Sequence, residues 1–372
     1  MAMNDSELLL VVVIVTALAF DFTNGFHDTA NAMATSIATR ALSPKIAVTL
    51  CALLNFAGAF ISIKVAATIS SGIVDQGVLD LRTLFAALIG AAAWNLATWA
   101  LGLPSSSSHA LIGGLVGAAV VASGWSAVDG NALVEKVIAP AVLSPLICGA
   151  VAAIGTFIAY KMQAGGPDRT VRRSYKFGQI GTASLVSLAH GTNDAQKTMG
   201  VITLALVAHG SLVQHGDDFS VPLWVKVVAA SAIALGSYTG GWRIINTMGR
   251  KLTEIEAPQG FVAEATSATT ILAASSYGYP LSTTHVVSGG ILGVGIGKRL
   301  SEVRWGLASR MAAAWVLTLP AAAVVAGIIW TVADGLGGAT GPILLAVVAA
   351  GGAIALFVAT QRGSSAIHAS DV

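Results

Sequence analysis

Two clusters of polar side chains interrupt stretches that are otherwise apolar. The first reads Asp21, Asn24, His27, Asp28 and Asn31. The second reads His190, Asn193, Asp194, Gln196 and Lys197. An ionisable group at membrane depth is costly to hold, so it marks a binding site, an ion path or a proton relay before it marks packing. The clusters are related: Asn24-Gly25-Phe26-His27-Asp28 recurs as His190-Gly191-Thr192-Asn193-Asp194. The pair Asp28 and Asp194 is therefore expected to do the same kind of work twice. A glycine at the centre of each cluster, with Asn beside it, predicts a broken helix whose freed backbone groups face a solute.

A second motif is also duplicated. Pro104-Ser105-Ser106-Ser107-Ser108-His109 recurs as Pro280-Leu281-Ser282-Thr283-Thr284-His285, and each copy runs on into a glycine pair, Gly113-Gly114 and Gly289-Gly290. Proline breaks a hairpin, and the hydroxyls that follow favour a helix N-cap. A helix start offers free N–H groups and the positive end of the helix dipole. Two such tips meeting near the membrane midplane would surround a tetrahedral oxyanion with N–H and O–H donors, and no Arg falls in the predicted midplane. Ser105, Ser106, Ser107, Ser108, Ser282, Thr283, Thr284 and Asn193 are the expected anion contacts. His109 and His285 would orient the tips or carry protons. Ser108-His109 also suggests a hydrolase nucleophile and base, but there is no G-x-S-x-G elbow, and two symmetric copies favour binding.

These motifs need a membrane scaffold, and the composition supplies one. The chain has 372 residues, 55% hydrophobic and 10% charged, with a mean hydropathy of +0.77. Soluble domains carry about 25% charged residues. The 41 glycines suit close helix approach in lipid. Basic residues fall in short loops, which argues against a nucleic-acid partner. They cluster at Arg40 and Lys45 and within 161–176, 243–251 and 298–310, and this places those loops in the cytoplasm. The predicted spans are 8–39, 46–66, a hairpin of 83–103 and 109–123, then 137–160. The second half follows the same plan upside down: 177–207, 222–241, a hairpin of 260–279 and 284–297, then 305–333. A last helix, 343–360, brings the C-terminus inside.

The expected fold is thus an all-α integral membrane protein with two inverted repeats, broken helices and two re-entrant-like hairpins. Repeat 1 is 1–160, a basic cytoplasmic linker is 161–176, repeat 2 is 177–333, and 334–372 is the C-terminal helix and tail. Inverted repeats with midplane sites are typical of transporters. The N-terminus is expected outside and the protein in the inner (plasma) membrane. The first apolar stretch follows Asp5 and Glu7 without a Lys or Arg, unlike a secretory leader. Cys51 and Cys148 lie in apolar segments and read as packing.

With both motifs in hand, the chain resembles the inorganic phosphate transporter family. Gly25-Phe26-His27-Asp28-Thr29-Ala30-Asn31-Ala32, His190-Gly191-Thr192-Asn193-Asp194-Ala195-Gln196-Lys197 and the two hydroxyl hairpins carry the resemblance, which covers nearly the whole chain. It implies cation-coupled phosphate uptake by an elevator-like or rocking cycle. It also implies phosphate on the hairpin hydroxyls and coupling cations near Asp28, Asp194, His27, Asn31, Lys197 and Asn24, supported by Gln196, His109, His285 and Glu264. Sodium-coupled members are similar to one another in carrying Gly-Ala-Asn-Asp in the first motif, where this chain has His27. Lys197 stands where the first motif has Asn31, and its ammonium could replace a bound cation. Both features favour the bacterial, low-affinity, proton-coupled type. The alternatives are sodium coupling, a divalent metal carried with phosphate, and a sulfate permease of the same family. No resident cofactor is expected. The partners are phosphate and lipid, and a homodimer is allowed for.

Overall fold

The computed structural model describes residues 4–163, 168–214, 219–299 and 302–362. Those residues are helical apart from short connections and one isolated β-bridge between Val74 and Val128. Helix α1 spans Asp5–Ala38, α2 Pro44–Gly58, α3 Lys64–Ser71, α4 Leu81–Leu101 and α5 Ser107–Ser123. Helix α6, Gly130–Leu133, passes through a π turn into α7, Ala139–Gln163. The second half holds α8 Asp168–Ala208, α9 Leu223–Thr239, α10 Trp242–Asn246, α11 Ala257–Ser276, α12 Thr283–Lys298, α13 Trp305–Leu336 and α14 Thr340–Arg362. Among the described residues, five helices are long and apolar enough to cross a membrane, or six if the bent pair α9–α10 is one span.

Local sequence sets the ends. Asn4 and Glu7 form a reciprocal capping box at α1. The Asp80 side chain accepts from Thr83 N–H at the start of α4, and Gly102 closes α4 in the left-handed region (φ +65). Ser106 and Ser282 cap α5 and α12 by accepting from the backbone N–H of His109 and His285, at 3.1 and 3.2 Å.

Three local expectations are revised. First, the break does not fall at Gly25 or Gly191: α1 and α8 run unbroken past both. These glycines permit helix contact instead. A Cβ on Gly25 would lie 2.3 Å from the Ile233 carbonyl oxygen of α9, and one on Gly191 would lie 2.2 Å from that of Asn55 in α2. The broken span is α9–α10, bent by 59° around Gly240 and Gly241. Second, the span expected over 46–66 stops at Gly58, and α3 restarts at Lys64. The Gln196 side chain accepts from Val65 and Ala66 N–H, at 2.9 and 3.3 Å, and so holds the new helix start. Third, α8 begins at Asp168, so residues 168–176 of the expected linker are helical; Gly165, Gly166 and Pro167 lie outside the described residues, as do His215 and the tail after Arg362.

The packing is reciprocal between halves. Helix α1 lies on α9 and α8 on α2, while α5 lies on α13 and α12 on α7. The hairpins α4–α5 and α11–α12 each pair internally as well. This exchange places α1 and α8 side by side at the centre, with the two hairpin tips beside them. Helix α14 lies outside, with mean hydropathy 2.5 and no buried residues in its apolar window. In lipid such a face needs no further cover.

Candidate binding site

Helices α1 and α8 bring Asp28 and Asp194 together, and the hairpin tips close over them. Both carboxylates are buried, at 1% and 0% exposure. From the first tip, Ser107 donates to Asp28 at 3.0 Å. From the second, Thr284 donates to Asp28 at 3.4 Å and Thr283 to Asp194 at 3.2 Å. Asn31 donates to the hydroxyls of Thr283 and Thr284, at 3.3 and 3.0 Å. The tips also touch each other, since Ser108 donates to the Leu281 carbonyl at 2.9 Å. The starts of two helices of 17 and 16 residues therefore converge on one buried polar centre. Convergent N–H groups and hydroxyls are what an anion needs.

The positive groups are distributed unequally. Lys197 forms an ion pair with Asp194 one turn away and donates to Ser108 at 2.5 Å and to the Leu281 carbonyl at 3.3 Å. His190 Nε2 lies 2.9 Å from Asp194 and 3.9 Å from Asp28, between the two acids. His27 Nδ1 lies 2.6 Å from Asp28. On its other side, His27 Nε2 is 3.4 Å from the Thr98 hydroxyl and 3.5 Å from that of Ser105. A ligand atom from each of Asp28, His190 and Asp194 can lie within 4.8 Å of the others, so the trio can hold a metal ion. Two carboxylates and an imidazole suit a divalent first-row or magnesium-like ion.

Several expected residues stand apart. The hydroxyls of Ser106 and Ser282 are committed to helix caps. Ser105 is bonded to Thr98, at 2.7 Å. Asn193 donates to Ser275 and to the Tyr279 carbonyl, so it fixes the second hairpin. Gln196 serves α3. The rings of His109 and His285 meet edge to face, 4.8 Å between centres. Both line an apolar cleft of about 820 Å³ with Trp305 and Trp315. Glu264 accepts from Thr35, Ser36, Gln179 and Thr182, at 2.5, 2.7, 3.2 and 2.7 Å, and ties α11 to α1 and α8. Asn24 is buried, and its carbonyl oxygen has no hydrogen-bond partner among the described residues.

His190 belongs to the centre, although the second motif gave it no role of its own. Its spacing from Asp194 was the signal, because residues four apart share a helix face. Asn55 was missed altogether. Its carbonyl oxygen faces His190 Nδ1 at 3.1 Å, and its amide donates to Ser237 at 2.7 Å. A buried Asn in the apolar segment 46–66 was the available clue.

A family model described as "Phosphate transporter family" matches residues 24–326, which include both polar motifs and both hairpins. The chain belongs to the phosphate transporter family. Among its relatives, a protein of Mycobacterium bovis named "Probable low-affinity inorganic phosphate transporter" is 54% identical over 343 residues, 92% of this chain and 82% of that one. Proteins of the same name from Rhizobium meliloti and Bacillus subtilis are 46% and 44% identical; they align with 88% and 86% of this chain and 97% and 96% of their own. A solved structure titled "The sodium-dependent phosphate transporter" shares the fold, with a TM-score of 0.74 at 24% identity over 88% of this chain and 99% of that one. Family and apolar helices together make this a multi-pass membrane protein, a transporter and not an enzyme.

Proposed function

We propose that this chain imports inorganic phosphate across the plasma membrane by symport with a cation. The observation that carries the reading is the closure of both hairpin tips over two buried carboxylates. Phosphate would take the hydroxyls of Ser107, Ser108, Thr283 and Thr284, the N–H groups at the starts of α5 and α12, and the Lys197 ammonium. Ser107 and Thr283 now donate to Asp28 and Asp194, and a rotation about χ1 would turn those O–H groups to the anion. The carboxylates would then accept hydrogen bonds from the P–OH groups of a protonated phosphate. Sulfate has no such proton near neutral pH, so this acceptor pair disfavours it.

Coupling by protons is the finer proposal. His27 contacts Asp28 directly, and imidazole is the side chain whose charge changes most readily near neutral pH. Lys197 already holds one positive charge against Asp194 and reduces the need for a bound cation. The trio Asp28, His190 and Asp194 favours a second form of cargo, phosphate with a divalent metal. The architecture we propose is two inverted repeats, 1–160 and 177–333, joined by 161–176 and followed by the 334–372 helix and tail. The N-terminus would lie outside and the C-terminus inside. Labelled phosphate uptake into proteoliposomes, with pH, sodium and magnesium varied separately, tests the reading. Accumulation driven by an inward proton gradient in sodium-free buffer is the expected result. Accumulation that requires sodium and ignores the proton gradient would assign the protein to the sodium-coupled branch.

A further inference from the structure

Asp21 differs from the other buried acids. Asp28, Asp194 and Glu264 each receive several hydrogen bonds or ion pairs. Asp21 is fully buried at 0% exposure, yet neither of its carboxylate oxygens has a hydrogen-bond partner among the described residues. It lies on α1 seven residues before Asp28, so the two acids share a helix face about 10 Å apart. The Thr198 side chain of α8 faces it, and that hydroxyl also lacks a partner in bonding geometry. Asn24, one turn further along α1 and 1% exposed, presents an unpartnered carbonyl oxygen. The charged groups that act on Asp21 are His190, Asp194 and Lys197, all on α8 and all already engaged with one another.

The unpartnered atoms are four oxygens: two from the carboxylate, one amide carbonyl and one hydroxyl. A buried carboxylate without a counter-charge is strongly unfavourable, and a core this well packed would accept an apolar residue there instead. Oxygen ligands without nitrogen or sulfur suit a small hard cation. We propose that Asp21, with Asn24 and Thr198, forms a monovalent cation site two helical turns before the phosphate centre. It would take the coupling ion, a proton or sodium, before that ion acts at Asp28 and Asp194. This rests on the symport reading above and assigns the cation a place of its own.

The test uses the full chain in proteoliposomes, comparing the parent with Asp21→Asn and Asp21→Glu. Phosphate accumulation is measured with an inward proton gradient in sodium-free buffer and with an inward sodium gradient at equal pH. Exchange of internal for external labelled phosphate is measured without any gradient. Asp21→Asn is expected to keep exchange at the parent's rate and to lose accumulation in whichever gradient drives the parent. Asp21→Glu, which keeps the carboxylate, is expected to retain accumulation. If Asp21→Asn accumulates phosphate as the parent does, the site is wrong. Loss of exchange in both variants also overturns it, because Asp21 would then belong to the phosphate centre or to packing. If the parent follows neither gradient, the symport reading falls and this site falls with it.

Discussion

The two acids at the centre stand on matching motifs but keep different company. Asp194 pairs with a lysine one turn away and with His190. Asp28 has no lysine; His27 lies against it, and Ser107 and Thr284 donate to it. The motifs are duplicated while the charge is not. On the proton-coupled reading, a lysine beside one acid and an imidazole beside the other would let one half hold an anion steadily while the other half changes its charge. That division says where to look for coupling: on the Asp28 side, where no lysine stands.

The largest effect should come from removing the acids. Asp28→Asn and Asp194→Asn are each expected to abolish concentrative uptake. The comparison predicts that they differ in exchange. Asp194→Asn leaves the Lys197 ammonium buried without its counter-charge, which is costly, so exchange should fall with accumulation. Asp28→Asn leaves the Lys197–Asp194 pair in place, and exchange should survive. Labelled phosphate counterflow in the two variants decides this, and full accumulation in both would remove the carboxylates from coupling altogether.

Next come the tips. Ser107→Ala removes a donor to Asp28, and Thr283→Val removes one to Asp194. If each hydroxyl passes to phosphate, its loss should cost about 1.5–3 kcal/mol, or roughly 10- to 150-fold in affinity. Ser106→Ala should weaken phosphate binding far less, because that hydroxyl caps α5. Its cost should instead appear as about 1 kcal/mol of stability. Phosphate titration of the purified variants separates the two kinds of serine. Equal affinity in all three would make the tips structural.

A smaller effect is expected from making the halves alike. Lys197→Asn gives the second motif the residue that the first has at Asn31. Asp194 then loses its fixed partner, and a transported cation should take its place. Uptake should become a steeper function of cation concentration, at a lower rate. An unchanged slope would mean that Lys197 does not stand in for a cation.

Much of this was legible from residue order alone. Duplicated polar and hydroxyl motifs in apolar surroundings gave the membrane class, the hairpins and the pairing of Asp28 with Asp194. The rest depended on contacts between distant segments. Gly25 and Gly191 look like helix breakers on their own. Only the backbone of Ile233 and of Asn55 pressed against them shows why a side chain is excluded while the helix continues. Gln196 reads as a site residue from its motif, but its carbonyl oxygen is taken by the start of α3. His109 and His285 repeat as faithfully as the serines before them, yet their rings meet each other in the apolar cleft and none of the hydrogen bonds to the carboxylates comes from them. Repetition marks positions; direction around the helix decides which of them reach the centre.

The smallest and most discriminating effect concerns His27. Its Nδ1 lies 2.6 Å from Asp28, while its Nε2 faces the hydroxyls of Thr98 and Ser105. Each ring nitrogen has a polar neighbour, so a proton gained there would change the charge beside Asp28 without rebuilding the site. On the proton-coupled reading, the ring would gain its proton as phosphate binds from outside and lose it as phosphate leaves inside, so that the two move inward together. Asn at this position, as in the sodium-type motif, preserves a donor to Asp28 but cannot carry the proton. His27→Asn should thus leave phosphate affinity at low pH near the parent's and flatten the rise of uptake as the outside is acidified. The decisive measurement is the slope of initial rate against external pH at saturating phosphate, in sodium-free buffer. A parent-like slope in His27→Asn would make the ring a structural hydrogen-bond partner and move the conditional charge to His190, the other imidazole that reaches both acids.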